Sequence, residues 1–323
     1  MTIVVTGAAG FVGTALAKQL LAEGVDRLIL VDRSLSADAA LQESSDRSVQ
    51  WRVGDVAQAD FIRSAIPQDT TIVFHLAGIV SGEAEADFDL GMRVNLDGGR
   101  HVLEACRALG SSVRLVFSSS IAVYGEPLPD TIDDATLPVP TLSYGAQKLA
   151  FEQLVNDYSR RGFLDGRTVR FPGVVVRPPH PNGALSAFTS DIIREPLAGR
   201  AITAPVSPQG TLWIASVETC VRNLLHAARL DSARLGQQRA VLLPAVCASI
   251  AEIVDITSRF AGRDLSALIQ YAPNPKIEPL FARWPRRFTA RRGFDLGFHV
   301  DPSLEAIVRG YVNQIASSAT TAK

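Results

Sequence analysis

Seven residues near the start of the chain, Gly7-Ala8-Ala9-Gly10-Phe11-Val12-Gly13, limit the fold more than any other feature. They follow Ile3 to Thr6, a β-branched run of the type that forms a buried parallel strand. They open a helical period in which Val12, Ala15, Leu16 and Leu20 share one face, and Gly24 stands where that helix should stop. Glycine at such a strand-to-helix turn permits tight geometry and lets a pyrophosphate approach the helix N-terminus. A plain tight turn is the bland alternative, but the setting is the one the phosphate-binding reading requires. The spacing is GxxGxxG rather than GxGxxG. Asp32 closes the second apolar run, 19 residues beyond Gly13. A carboxylate there can accept from both ribose hydroxyls of an adenosine and would repel a 2′-phosphate, so NAD is predicted over NADP. Arg33, the next residue, is the feature that could accommodate a phosphate instead.

Strands and helices alternate through the first half. After Ile3–Thr6, strands are expected at Arg27–Val31, Trp51–Val53, Thr71–His75, Val113–Ser118 and Thr168–Phe171, with a helix over Phe88–Leu109 ending at Gly110. This order predicts an α/β chain: a Rossmann-type doubly wound parallel sheet with helices on both faces. Prolines crowd residues 172–208, and later helices are expected over Val217–Leu230, Ala248–Phe260 and Leu304–Ile315, with a frayed polar tail from Ser317 to Lys323. The division read from this change is an NAD-binding domain over 1–170 and a smaller C-terminal α/β substrate lobe over 171–323, with segments that can cross between them.

Charge narrows the function. Lysine plus arginine total 32 against 33 acids, which leaves no field to attract nucleic acid or an anionic membrane. No apolar run approaches the ~20 residues of a bilayer span. The chain opens directly on a core strand, so a soluble cytoplasmic protein is expected. Cys106, Cys220 and Cys247 lie far apart, and no histidine pair has ligand spacing, so inert thiols and no metal are expected.

Chemistry is carried by Tyr144-Gly145-Ala146-Gln147-Lys148. Phe151, Leu154, Val155 and Tyr158 continue a helical period, so Tyr144 and Lys148 share a face. An ammonium near a phenol favours the phenolate, as would a bound nicotinamide cation, and a tyrosine so lowered can act as a general base. Taken alone, such a pair is common and mostly a solvated helix face; it gains weight only from what precedes it. Upstream, Phe117-Ser118-Ser119-Ser120-Ile121-Ala122-Val123-Tyr124-Gly125 ends a strand, and ligands of open α/β sheets bind at the carboxyl ends of strands.

With these pieces assembled, the chain resembles the extended short-chain dehydrogenase/reductases, the NAD-dependent epimerase/dehydratase branch. The matching segments are TGAAGFVG, Asp32, Gly54-Asp55-Val56, His75-Leu76-Ala77-Gly78, Asn95, FSSSIAVYG and YGAQK, in the family's order over residues 3–148. The resemblance implies a catalytic set of Ser120, Tyr144 and Lys148. It implies cofactor contacts from Gly7, Gly10, Phe11, Val12 and Gly13, and from Asp32. Asp55 and Val56 would meet the adenine, Leu76, Ala77, Asn95, Ser118 and Val174 would lie along the cofactor, and Lys148 would also hold the nicotinamide ribose. It also implies a homodimer paired through the helices holding Asn95–Leu109 and Tyr144–Arg160.

The second half departs from the nucleotide-sugar enzymes. Where those carry an asparagine that helps hold the sugar nucleotide, this chain has Gly173 in Arg170-Phe171-Pro172-Gly173-Val174-Val175-Val176-Arg177. The stretches His75–Gly98 and Val174–Arg200 resemble instead the NAD-dependent D-erythronate dehydrogenases, which implies oxidation of a small sugar acid at C2 to the 2-oxo acid. A small carboxylate substrate needs a cation, and arginine offers bidentate pairing. Arg177 and Arg194 are the candidates, with Ser81 and Ser120 as hydroxyl partners; surface ion pairs and a loop serine are the plain alternatives. A basic run, Arg283, Arg286, Arg287, Arg291 and Arg292 around Trp284, could hold a diphosphate or simply face water. Two other functions stay open on the sequence: a nucleotide-sugar epimerase or dehydratase with tightly bound NAD, and a non-enzymatic dinucleotide sensor.

Overall fold

The apolar runs of the first half assemble into one parallel sheet because the inner ones are buried on both faces and cannot stand at a wet surface; the run Val49–Val53 closes an edge and is partly exposed. The computed structural model describes residues 1–36, 38, 41, 48–110, 113–179, 184–282 and 284–321. Arg283, residues 180–183 of the stretch Val174–Arg200, and the last two residues of the tail lie outside these.

In chain order the sheet elements begin β1 (Thr2–Thr6), α1 (Phe11–Ala22), β2 (Arg27–Asp32), β3 (Val49–Val53), α2 (Ala59–Ala65) and β4 (Thr70–His75). Then come α3 (Ser81–Ala86), α4 (Phe88–Gly91), a π-helical turn (Met92–Gly98), α5 (Gly99–Leu109), β5 (Arg114–Ser120), α6 (Ser143–Arg160) and β6 (Asp165–Phe171). The second half adds β7 (Gly173–Val175), α7 (Phe188–Leu197), β8 (Thr211–Ser216), α8 (Val217–Arg229), β9 (Ala240–Leu242), β10 (Val246–Ser249), α9 (Ile250–Ala261) and α10 (Leu304–Thr321).

The order across the large sheet is β9-β6-β5-β4-β1-β2-β3, all parallel, reversing direction of travel between β1 and β4. That reversal is where an open α/β sheet leaves a crevice at its carboxyl edge. Helices α1 and α8 cover one face, sharing a core with Leu16, Leu20, Phe74 and Leu224. Helices α2, α5 and α6 cover the other around Ile29, Val73, Leu103, Phe117 and Phe151. A second, three-stranded sheet of order β10-β8-β7 joins α7, α9 and α10 around a separate core that includes Ile192, Ile214, Ile253 and Val308.

Several expectations change in detail. The helix expected over Phe88–Leu109 is divided by the π-helical turn at Met92–Gly98. Glycines bound it because α6 presses close: a Cβ on Gly91 would lie 2.5 Å from Gln147 Nε2, and one on Gly99 2.5 Å from Phe151. The helix expected from Ala248 starts at Ile250 instead, since Ser249 caps it reciprocally with Glu252. The last helix continues to Thr321 through residues read as tail. The C-terminal half also returns two elements to the nucleotide sheet, β9 at its edge and α8 on its face. Among the described residues no helix is long and apolar enough to cross a membrane, and no group of three or more potential ligands could hold a metal.

Candidate active site

Two clefts open at the carboxyl edge of the large sheet, and Leu76, Gly78 and Ile79 line both. The first has a volume of ≈ 510 Å³ and is bounded by Gly7, Gly10, Asp32, Arg33, Asp55, Val56 and Ala77. Gly7 takes φ +73, which a side chain would resist, and its N–H donates to the Val31 carbonyl at 2.9 Å. Gly13 lets α1 leave the turn at once, for a Cβ there would lie 2.1 Å from the Gly7 carbonyl oxygen. Asp32 accepts from Ala9 N–H at 2.9 Å and Arg33 N–H at 2.7 Å, so backbone amides orient its carboxylate in the cleft. Asp55 accepts from Ala57 N–H at 2.9 Å, turning the chain so that it and Val56 form a wall.

The second cleft, ≈ 290 Å³, gathers Val12, Ser81, Ser118, Ser120, Tyr144, Lys148, Val174 and Arg177. Strand β5 delivers the serines and helix α6 delivers Tyr144 and Lys148. Lys148 Nζ donates to the Ser118 carbonyl at 2.9 Å and lies 5.5 Å from the Tyr144 ring centre. Ser120 Oγ accepts from Ala122 N–H at 3.1 Å and lines the same cavity as Tyr144. Burial raises the Tyr144 phenol above its ordinary value; the nearby Arg177 guanidinium and the Ser120 hydroxyl pull it back. Burial is the largest effect on this phenol, and Arg177 is a second cation beside it, in addition to the Lys148 expected from the sequence. Burial pulls Lys148 itself down to about 8, against an upward push from Glu152. His75, beneath it, is held neutral by burial at about 3, with Thr6 Oγ1 at 2.8 Å from its Nδ1.

The substrate candidates separate clearly. Arg177 is mostly buried, donates from Nε to the Val174 carbonyl at 3.1 Å, and has no carboxylate partner among the described residues. Arg194 does not line the cavity. It pairs with Asp191 and Glu195 and donates to the Arg177 carbonyl, so its charge is spent behind Arg177 and the expected substrate contact does not fit. Ser81 lines the cavity and accepts from Leu185 N–H at 3.1 Å, tying the loop after β4 to the segment before α7. Asn95, Phe11 and Gly13 lie outside both clefts. Asn95 is buried and clamps Ile79 through both its backbone groups, at 2.9 and 3.2 Å, while donating to Gln147 at 2.7 Å. Phe11 packs against the core instead. Three arginines of the basic run are engaged separately: Arg286 pairs with Glu252, Arg291 with Asp295, and Arg292 donates to the carbonyls of Leu235, Gln238 and Ala240.

Sequence reading missed three groups around the site. Gly145 lets α6 touch the loop after β5. Glu152 and Arg170 form a buried ion pair behind the cavity, with Nη2 to Oε2 at 2.7 Å. The i+4 spacing of Lys148 and Glu152 on one helix face was the available signal.

With this geometry in view, comparison with known proteins places the chain. The model of the NAD dependent epimerase/dehydratase family matches residues 3–229. The chain belongs to that family. This epimerase/dehydratase-family chain is 43% identical over 317 residues to the D-erythronate dehydrogenase of Cupriavidus necator, covering 97% of this chain and 98% of the relative. It is 37% identical over 315 residues to the D-erythronate dehydrogenase of Haemophilus influenzae, covering 97% and 99%. Among solved structures it is similar to the nucleoside-diphosphate-sugar epimerase of Agrobacterium tumefaciens, with a TM-score of 0.89, 38% identity and coverage of 97% and 94%. The family is NAD-dependent, and the clefts of this chain fit that dinucleotide. Asp32, with no basic side-chain partner among the described residues, lines the first, which meets the second at Leu76, Gly78 and Ile79.

Proposed function

We propose that this protein oxidises D-erythronate, or a sugar acid close to it, at the C2 hydroxyl to give the 2-oxo acid. The observation that carries the reading is Arg177: a cation without a carboxylate partner among the described residues, in the same cavity as Ser120, Tyr144 and Lys148. An anionic substrate head would satisfy it by bidentate pairing. The two D-erythronate dehydrogenases among the relatives support the same substrate class.

NAD, when bound, accepts the hydride leaving C2. Asp32 would hold the adenosine ribose, Gly7 and Gly10 would admit the pyrophosphate, and Lys148 would hold the nicotinamide ribose. Arg177 pairs with the substrate carboxylate, and Ser81 is in reach of a tail hydroxyl. Ser120 donates to the C2 oxygen and holds it against Tyr144. Tyr144 as phenolate takes the proton from the C2 hydroxyl oxygen as the C2–H bond breaks, so the O–H electrons close the C2=O bond and C2 loses only a hydride. Lys148 and Arg177 are the cations that favour the phenolate. Binding both reactants in one cavity supplies the orientation.

A nucleotide-sugar reading draws on the Agrobacterium relative's name. It is weakened by Gly173 and by the engagement of Arg286, Arg291 and Arg292 of the basic run with other partners. Our reading also includes a homodimer formed through α5 and α6, tested by light scattering, and a cytoplasmic location. The deciding assay is NADH absorbance with purified protein, NAD and a panel of four- to six-carbon aldonic acids. Net NADH on D-erythronate supports the proposal. No NADH across the panel, with NAD bound, would replace it with a reaction that recycles the cofactor on a nucleotide sugar.

A further inference from the structure

Behind the cavity floor lies a buried ion pair that the proposed reaction does not use. Glu152 follows Lys148 by one helical turn on α6 and is 2% exposed. It accepts from the Ser119 hydroxyl, from Arg170 Nε at 3.0 Å and from Arg170 Nη2 at 2.7 Å. Arg170 Nη1 continues to the Tyr124 hydroxyl at 2.8 Å, and Tyr124 lines the cavity. One carboxylate thus joins the strand end that carries Ser118–Ser120 to Arg170 and, through it, to Tyr124. Ser119 sits between Ser118, whose carbonyl receives Lys148, and Ser120, which meets Tyr144. A buried pair of this kind is seldom more stabilising than apolar side chains of equal volume. Stability alone is therefore a poor reason for it here.

We infer that Glu152, clamped by Arg170, is a positioning residue: it holds the Lys148 ammonium and the strand end Ser118–Ser120 in working register and acts on the reaction through them. The groups facing Lys148 from each element support this. From β4 comes His75, neutral; from β5, the Ser118 carbonyl and the Phe117 ring, 4.7 Å from Nζ; from α6, Tyr144 and Glu152. From β6 comes Arg170, behind Glu152, and Arg177 lies on the far side of Tyr144. Glu152 is the acid in this set. Burial works against the Lys148 charge and Glu152 works for it.

Glu152→Gln alone would strand the Arg170 charge, so the informative variant is Glu152→Gln with Arg170→Gln, which removes both charges at nearly constant volume. The chain has four lysines, Lys18, Lys148, Lys276 and Lys323, few enough to resolve by NMR of lysine-labelled protein. In the native protein Lys148 is expected to titrate near 8. In the double variant it should titrate at least about one pH unit lower. The high-pH limb of kcat/KM on D-erythronate should move down with it. Only this second arm rests on the proposed function; the titration needs no substrate and fails or succeeds without it. An unmoved Lys148 in the folded double variant overturns the inference, as does a moved Lys148 with an unmoved limb. Should the double variant not fold, Glu152→Asp keeps the charge on a shorter stem. It should lower the Lys148 titration point, read by the same NMR without substrate, by at least about half a pH unit, and a native titration point there also overturns the inference.

Discussion

The backbone at Gly145 passes so close to Ala122 that a Cβ at 145 would lie 2.0 Å from the Ala122 carbonyl oxygen. The contact joins the start of α6, which carries Tyr144, to the loop that follows Ser120. Gly145→Ala must push these two apart. Backbone cannot yield as a flexible side chain does, so a loss of about 1–3 kcal/mol is expected. Thermal melts should show the lower Tm, and turnover should fall further than stability alone explains, because the Ser120–Tyr144 spacing opens.

Tyr144→Phe removes the proposed base and leaves the ring in place. Turnover should drop by about 10²–10⁴-fold, while NAD titrated by fluorescence binds as before. Retained turnover would exclude Tyr144 as the base.

Arg177→Met removes the cation proposed to hold the substrate carboxylate. KM for D-erythronate should rise about 10²-fold, equivalent to roughly 2–3 kcal/mol. Arg177→Lys should recover only part of this, since an ammonium lacks the planar fork. NAD affinity is the control and should stay put.

The rate of oxidation should rise with pH. Burial raises the Tyr144 phenol, so near neutrality only a small fraction is phenolate, and each step up in pH enlarges it. Above about 8, Lys148 begins to lose its proton, and the climb should flatten. A kcat/KM profile level from pH 6 to 8 would contradict Tyr144 as the titrating base.

Asp32→Ala should weaken NAD about tenfold through the lost ribose hydrogen bonds. It should also narrow the preference over NADP, because the carboxylate that repels a 2′-phosphate is gone and Arg33 remains beside it. The ratio of the two KM values is the measurement.

Much of this arrangement was legible in the sequence. The parallel sheet follows from apolar runs too continuous for a wet face, and its strands fall within a few residues of where those runs lie. The glycine turn, Asp32, Ser120, Tyr144 and Lys148 are local motifs, and the clefts gather them. What escaped reading depended on partners distant in the chain. Arg194 looked as available as Arg177 until Asp191 and Glu195 were seen to occupy it. Asn95 was placed on the cofactor, yet its amide is consumed by Ile79 and Gln147. Ala240–Leu242 is too short a run to announce itself, and only β6 gives it a place. The Ser249–Glu252 capping box, by contrast, was visible as a motif and marks a boundary that apolar periodicity alone put two residues early.

The return of β9 and α8 to the nucleotide sheet bears on how the chain is made. A nascent chain released only through β6 would present a bare strand edge, and α1 would lack the helix it packs beside. The dinucleotide half therefore closes only after some 240 residues have left the ribosome. The two halves cannot be shuffled as independent modules, and a change of substrate lobe would carry part of the cofactor sheet along with it.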